Sequence, residues 1–195
     1  MNRHVLLFHS IAPLYRLFFN FQLRRYRKFL KHLEHVGLPA CNKVLDIGFG
    51  TGALLKALDE KNITATGVDG AKNMVKTARK KLKKTNIDLF QADIEKGFAF
   101  EDKTFDCVFS CYVVHGLNKN LRRQYYKEAK RLAKHRVILY EHSNKPSLLI
   151  KIAELLEGGE YFSFKAVKLA EFNEHFRDVT SIQMNRNVTI HILKP

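Results

Sequence analysis

The chain has 195 residues, of which 46% are hydrophobic, and carries a formal charge of +15. That length and apolar content suit one domain with a buried core, and no run of ~18 apolar residues is present to span a membrane. The first ten residues hold only the short apolar run Val5-Leu6-Leu7-Phe8 and no small-residue cleavage site, so a secretory signal is not expected. Cys41, Cys107 and Cys111 are odd in number and lack C-x-x-C spacing, which argues against a disulfide framework and a zinc site and favours a reducing, cytoplasmic setting.

In chain order, an amphipathic helical pattern runs from Ile11 to Val36, with Tyr15, Phe18, Tyr26, Phe29, Leu30 and Leu33 on one side and basic residues on the other. A break is expected near Asn20, and Gly37-Leu38-Pro39 stops the pattern. Next come a strand at Lys43–Ile47, a helix at Thr51–Glu60, a strand at Ala65–Val68, a helix at Lys72–Lys83 and a strand at Ile87–Gln91. A loop at Glu95–Lys103 leads to a strand at Phe105–Ser110, a helix at Leu121–Ala133 and a strand at Arg136–Tyr140. Strands alternating with helices predict a parallel α/β sheet with right-handed crossovers. The end breaks the alternation: Val179–Gln183 and Val188–Leu193 are β-rich runs around a short polar stretch and read as a hairpin, which predicts an antiparallel strand at the sheet's edge. The positive charge concentrates in Arg24–Lys31, Lys72–Lys84 and Arg122–Arg136, all in helical patterns. Solvated helix faces, an anionic membrane surface and nucleic acid are all compatible with it.

The most informative stretch is Asp46-Ile47-Gly48-Phe49-Gly50-Thr51-Gly52, which joins the apolar Val44-Leu45 to a glycine-rich turn and a helical pattern. Glycines there reach φ > 0 and let a ligand approach the backbone. By itself the motif is ambiguous, because Gly48-x-Gly50-x-x-Ala53 also satisfies a dinucleotide fingerprint. Asp69, roughly twenty residues on at a strand end, is placed to accept hydrogen bonds from two ribose hydroxyls. It can equally cap the helix beginning near Lys72.

Four motifs in order resemble the class I S-adenosylmethionine-dependent methyltransferases over most of the chain: Val44 to Gly52, Gly67-Val68-Asp69-Gly70, Gln91-Ala92-Asp93-Ile94 and Phe105-Asp106-Cys107-Val108-Phe109-Ser110. The resemblance implies a Rossmann-like, seven-stranded, mostly parallel sheet with helices on both faces and the last strand inserted antiparallel. It implies a single domain, residues 1–195, with a helical lid over 1–40 and a core over 41–195. It also implies a cofactor, S-adenosylmethionine, leaving as S-adenosylhomocysteine. By the same resemblance, Gly48, Phe49 and Gly50 cradle its methionine and ribose end and Asp46 lies near its ammonium. Asp69 and Gly70 meet the ribose, Asp93 and the Ile94 backbone meet adenine, Ser110 lines the methionine end, and Tyr15 of the lid is a contact.

Methyl transfer from a sulfonium is an in-line displacement on an activated carbon, so positioning and dryness carry most of the catalysis. An oxygen nucleophile also needs a proton removed. His115, past the fourth strand, and Glu141 and His142, after the fifth, are the candidates. The fourth-strand exit, Ser110-Cys111-Tyr112-Val113-Val114-His115, lacks the Asn/Asp-Pro-Pro-aromatic sequence of base-amine methyltransferases. What remains is similar to the small-molecule branch, close to the ubiquinone/menaquinone biosynthesis methyltransferases. The expected acceptor is a quinol, phenol, amine or lipid-like molecule. Two departures stand out: Phe49 in place of a smaller residue, and Asn173-Glu174-His175-Phe176 without the usual glycine. The alternatives are an RNA-acting methyltransferase, given the charge, and an NAD-binding dehydrogenase, given the permissive fingerprint. The basic helices leave peripheral membrane or nucleic-acid contact open.

Overall fold

The computed structural model describes residues 18–36, 41–143 and 160–195. Tyr15 and the first part of the expected lid lie outside the described residues. The seven strands follow the order β3-β2-β1-β4-β5-β7-β6 in one sheet, and the chain forms two compact units, residues 1–93 and 94–195.

The first unit runs α1 (Phe19–His35), β1 (Lys43–Ile47), α2 (Ala53–Asp59), β2 (Thr64–Asp69), α3 (Lys72–Lys81) and β3 (Asp88–Gln91). Strands β1, β2 and β3 are parallel neighbours, with Leu45 opposite Thr66 and Val68 opposite Phe90. Strand β1 is buried from Val44 to Ile47 and apolar there except at Asp46, as parallel strands covered on both faces largely are. Helix α1 turns Leu23, Phe29, Leu30 and Leu33 inward and packs on α2. It starts at Phe19, one residue before Asn20. Arg27 makes a two-pronged ion pair with Glu60, at 2.7 and 2.8 Å, but the pair is exposed and contributes little.

The second unit contains β4 (Phe105–Cys111), α4 (Lys119–Leu132), β5 (Ala133–His142), α5 (Glu160–His175), β6 (Asp178–Asn185) and β7 (Val188–Lys194). Helix α4 starts two residues earlier than the periodicity predicts, because the Asn118 side chain accepts the Leu121 N–H at 3.0 Å and caps it. It gives way directly to β5 at Ala133, so the strand is longer than its apolar run. Strands β4 and β5 are parallel, whereas β7 is antiparallel to both β5 and β6. The antiparallel strand therefore lies one in from the edge, and β6 is the edge strand. Helix α5 has no counterpart among the elements read from the sequence. Its Arg122 partner explains its placement: Glu171 takes Nε and Nη2 of Arg122 at 2.8 Å each and the Tyr126 hydroxyl at 3.0 Å, all buried.

Cys41 and Cys107 are each disulfide-bonded. This corrects the expectation drawn from cysteine number and spacing, because pairing depends on Cα separation in the fold and not on separation in the sequence. Among the described residues no helix is long and apolar enough to cross a membrane.

Candidate functional site

In the first unit the glycine-rich turn leaves β1 with the Gly48 N–H donating to the Val68 carbonyl at 2.8 Å and the Gly52 N–H to the Phe49 carbonyl at 2.9 Å. Its glycines Gly48, Gly50 and Gly52 all have positive φ. Gly50 has φ 56° and nothing within 4 Å of where a Cβ would lie, so its surroundings are open. Gly52 has φ 82°, and a Cβ there would come within 2.8 Å of Leu82 Cδ1. Gly67 serves the turn indirectly: a Cβ on it would sit 2.6 Å from Phe49 Cδ1 and 2.7 Å from Leu55 Cδ1. The absence of that Cβ makes room for the Phe49 ring, which is buried. Any ligand contact at position 49 is therefore with its backbone.

Asp69 holds the turn in shape. One carboxylate oxygen accepts the Gly50 N–H and the other the Ala71 N–H, each at 2.8 Å. Each oxygen retains further acceptor capacity, and the residue is half-buried, as is Gly70 beside it. The Ala92 N–H donates to the Asp69 carbonyl at 3.1 Å, which brings the half-buried Asp93 alongside. Asp46 differs from both. It is 1% exposed, and its Oδ1 has no hydrogen-bond partner. Burial, and secondarily the Asp69 charge, push its carboxyl up to about 8. A buried carboxyl without a cation is an unfavourable arrangement that a positively charged ligand group would relieve. Thr51 Oγ1 donates to Gln22 Oε1 of α1 at 2.8 Å, fastening the N-terminal helix to the turn. This contact could not be anticipated from either residue's type.

In the second unit Ile94 opens a short 3-10 turn, and Ser110 is fully buried in β4 opposite Leu139. His115 lies in the 3-10 turn Val114–Gly116 after β4, and Glu141 lies near the end of β5. They meet: His115 Nδ1 is 2.5 Å from Glu141 Oε2, with exposures of 4% and 1%. The other Glu141 oxygen accepts the Val114 N–H at 3.0 Å. Burial alone would push the Glu141 carboxyl up. The charge and hydrogen bond of His115, helped by His142 and the Val114 N–H, outweigh it and hold the carboxyl below the usual carboxylate range. An ionised carboxylate only accepts, so His115 Nδ1 is the donor.

The His142 ring lies 5.2 Å from that of His115. Tyr112 and Tyr161, neither singled out by the sequence, complete the group. The Tyr112 ring is 4.6 Å from His142 and 5.2 Å from Tyr140, and the Tyr161 ring is 5.9 Å from His142 and 6.1 Å from His115. The three catalytic candidates thus share one cluster, buried at His115 and Glu141 and half-buried at His142, whose Tyr161 comes from α5.

The methyltransferase domain family matches residues 44–136. A Geobacillus sp. (strain WCH70) protein named as a methyltransferase is 34% identical over 80 residues, 40% of this chain and 32% of that protein. The ubiquinone/menaquinone biosynthesis C-methyltransferase UbiE of Pseudomonas fluorescens is 35% identical over 113 residues, 52% of this chain and 43% of that one. The chain thus spans less than half the length of these two relatives. A solved structure of a SAM-dependent methyltransferase from Aquifex aeolicus superposes with a TM-score of 0.66 at 22% identity, covering 84% of this chain and 87% of that one. That likeness is one of fold.

Proposed function

We propose that this chain, which carries a methyltransferase domain of the class I S-adenosylmethionine-dependent kind, transfers the methyl group of that cofactor to a small-molecule acceptor and releases S-adenosylhomocysteine. Asp46 carries the reading. A carboxyl that is buried, lacks a partner at one oxygen and lies next to a glycine turn fits a ligand bearing a cationic amine beside a sugar, as S-adenosylmethionine does. A pyrophosphate would set two negative charges beside the Asp69 carboxylate and give the buried Asp46 carboxyl no cationic partner, which disfavours the dinucleotide alternative.

In this reading the Gly48–Gly50 backbone and Asp46 hold the methionine end, and Asp69 and Gly70 the ribose. Asp93 and the Ile94 N–H hold the adenine, and Ser110 contributes its backbone. The cofactor supplies an electrophilic methyl carbon when bound. The protein's residues orient the nucleophile, exclude water and move its proton. His115, oriented by Glu141, is the base, and His142 borders it.

A second reading, an RNA acceptor, draws on a basic cleft of about 680 Å³ along α4, lined among others by Arg123, Lys127 and Lys130. The test is S-adenosylhomocysteine release measured over quinols, phenols, amines, phospholipids and tRNA. Turnover with at least one small molecule is expected. Turnover confined to tRNA would replace the first reading with the second.

A further inference from the structure

Tyr112 has φ 57°, the left-handed region, which a bulky aromatic residue rarely occupies. Such strain persists only where the surroundings fix it, and it concentrates at functional positions. Here the surroundings are specific. The Tyr112 N–H donates to the Tyr140 carbonyl at 2.9 Å, extending the β4–β5 pairing by one residue. The ring is held edge-on to Tyr140, at an interplanar angle of 88°, and tilted by 42° over His142. The His115 ring stands 6.3 Å away, nearly perpendicular at 77°. Tyr112 and His142 are half-buried, while His115, Tyr140 and Tyr161 are buried. The half-buried pair is the part of the cluster that an acceptor ring can cover, and the His115 ring, 5.2 Å from that of His142, is the part that a hydroxyl on that ring would reach.

We propose that Tyr112 and His142 form a ring-stacking platform for a planar aromatic acceptor with a free hydroxyl, and that the His115–Glu141 pair removes the proton from that hydroxyl. The inference rests on the methyl-transfer reading above and names its acceptor class. Aromatic surfaces at these separations favour another planar ring in offset or edge contact. A quaternary or primary ammonium is poorly suited, because both Glu141 oxygens are already engaged, one by Val114 N–H and one by His115.

The step balances as follows. The phenolic proton passes to the His115 imidazole, whose positive charge Glu141 offsets. The oxygen forms its bond to the methyl carbon while the carbon–sulfur bond breaks and its electron pair stays on sulfur. The products are an aryl methyl ether, S-adenosylhomocysteine and an imidazolium that returns its proton to water.

The test uses the full chain with labelled S-adenosylmethionine and three acceptors: 4-methylphenol, the readily ionised 4-nitrophenol and benzylamine. Wild-type protein should methylate the phenols and not the amine. Tyr112→Gly, which relieves the left-handed strain and so should fold, should raise KM for 4-methylphenol about tenfold or more. Tyr112→Phe should recover most of that loss relative to Tyr112→Gly. His115→Gln should lower kcat for 4-methylphenol about a hundredfold and for 4-nitrophenol far less, because that acceptor reaches the site already ionised. A merely structural His115 would lower both equally, which would overturn the proposal. So would transfer to benzylamine alone, absence of transfer to either phenol, or an unchanged KM in Tyr112→Gly. Calorimetric binding of S-adenosylhomocysteine to each protein separates the two levels: its absence in the wild type sinks the methyl-transfer reading itself.

Discussion

Asp46 is the residue whose physical state and proposed role are most tightly connected. Its carboxyl ionises at 3.8 when unperturbed and at about 8 in the fold, so between those values the native state binds the extra proton. Stability of the ligand-free protein therefore falls as pH rises through that window. Asp46→Asn should flatten the fall, as thermal melting between pH 5 and pH 8 would show (about the interval bounded by the two ionisations). A cationic amine beside Asp46 would draw its proton off. Binding of S-adenosylmethionine near neutral pH is thus expected to release up to about one proton, detected by calorimetry in buffers of different ionisation enthalpy. Proton-neutral binding would dissociate Asp46 from the cofactor. Gly67 offers a second residue-scale prediction. Gly67→Ala puts a methyl group into the Phe49 and Leu55 side chains and should cost about 1–3 kcal/mol. Adding Phe49→Ala should recover part of that in denaturant unfolding.

Helix α5 and its buried ion pair define what the sequence revealed and what it hid at the level of elements. Strand β1 was legible because the apolar Val44, Leu45 and Ile47 end in a glycine turn, and the hairpin because two β-rich runs flank a short polar stretch. Helix α5 mixes the usual pattern. Phe162, Val167 and Leu169 are exposed and Lys168 and Glu171 are buried together with Tyr161, Phe164 and Phe172, so hydrophobic periodicity marks its inner face poorly. The site divides in the same way. A turn that needs glycine announces itself, but a tyrosine in a left-handed conformation does not. His115 and Glu141 could each be chosen for following a strand, yet nothing in a sequence shows that residues 26 positions apart touch. Arg122→Ala, which leaves Glu171 buried with one fewer cationic partner, should cost about 3–5 kcal/mol. Replacing both by methionine should cost much less. Burial raises the Glu171 carboxyl, but Arg122 and Tyr126 hydrogen bonds more than offset it and hold it below 4.5. Its contribution is therefore present above pH 4.5 and lost as pH falls through the lower folded value.

For the whole molecule, the strand order with β7 placed between β5 and β6, the matched domain over residues 44–136 and the glycine turn all describe a methyltransferase fold. The charge of +15 bears on the size of the acceptor. If the acceptor is small, turnover should depend only weakly on salt, whereas a polyanionic acceptor would give a steep decline between 50 and 200 mM, on the order of a thousandfold. The identity of the methyl donor is read by isothermal titration of the full chain with S-adenosylmethionine, S-adenosylhomocysteine and NAD. One site is expected for each of the two sulfur compounds, weakened in Asp46→Asn, and none for NAD. Binding of NAD without either sulfur compound would overturn the assignment of the donor.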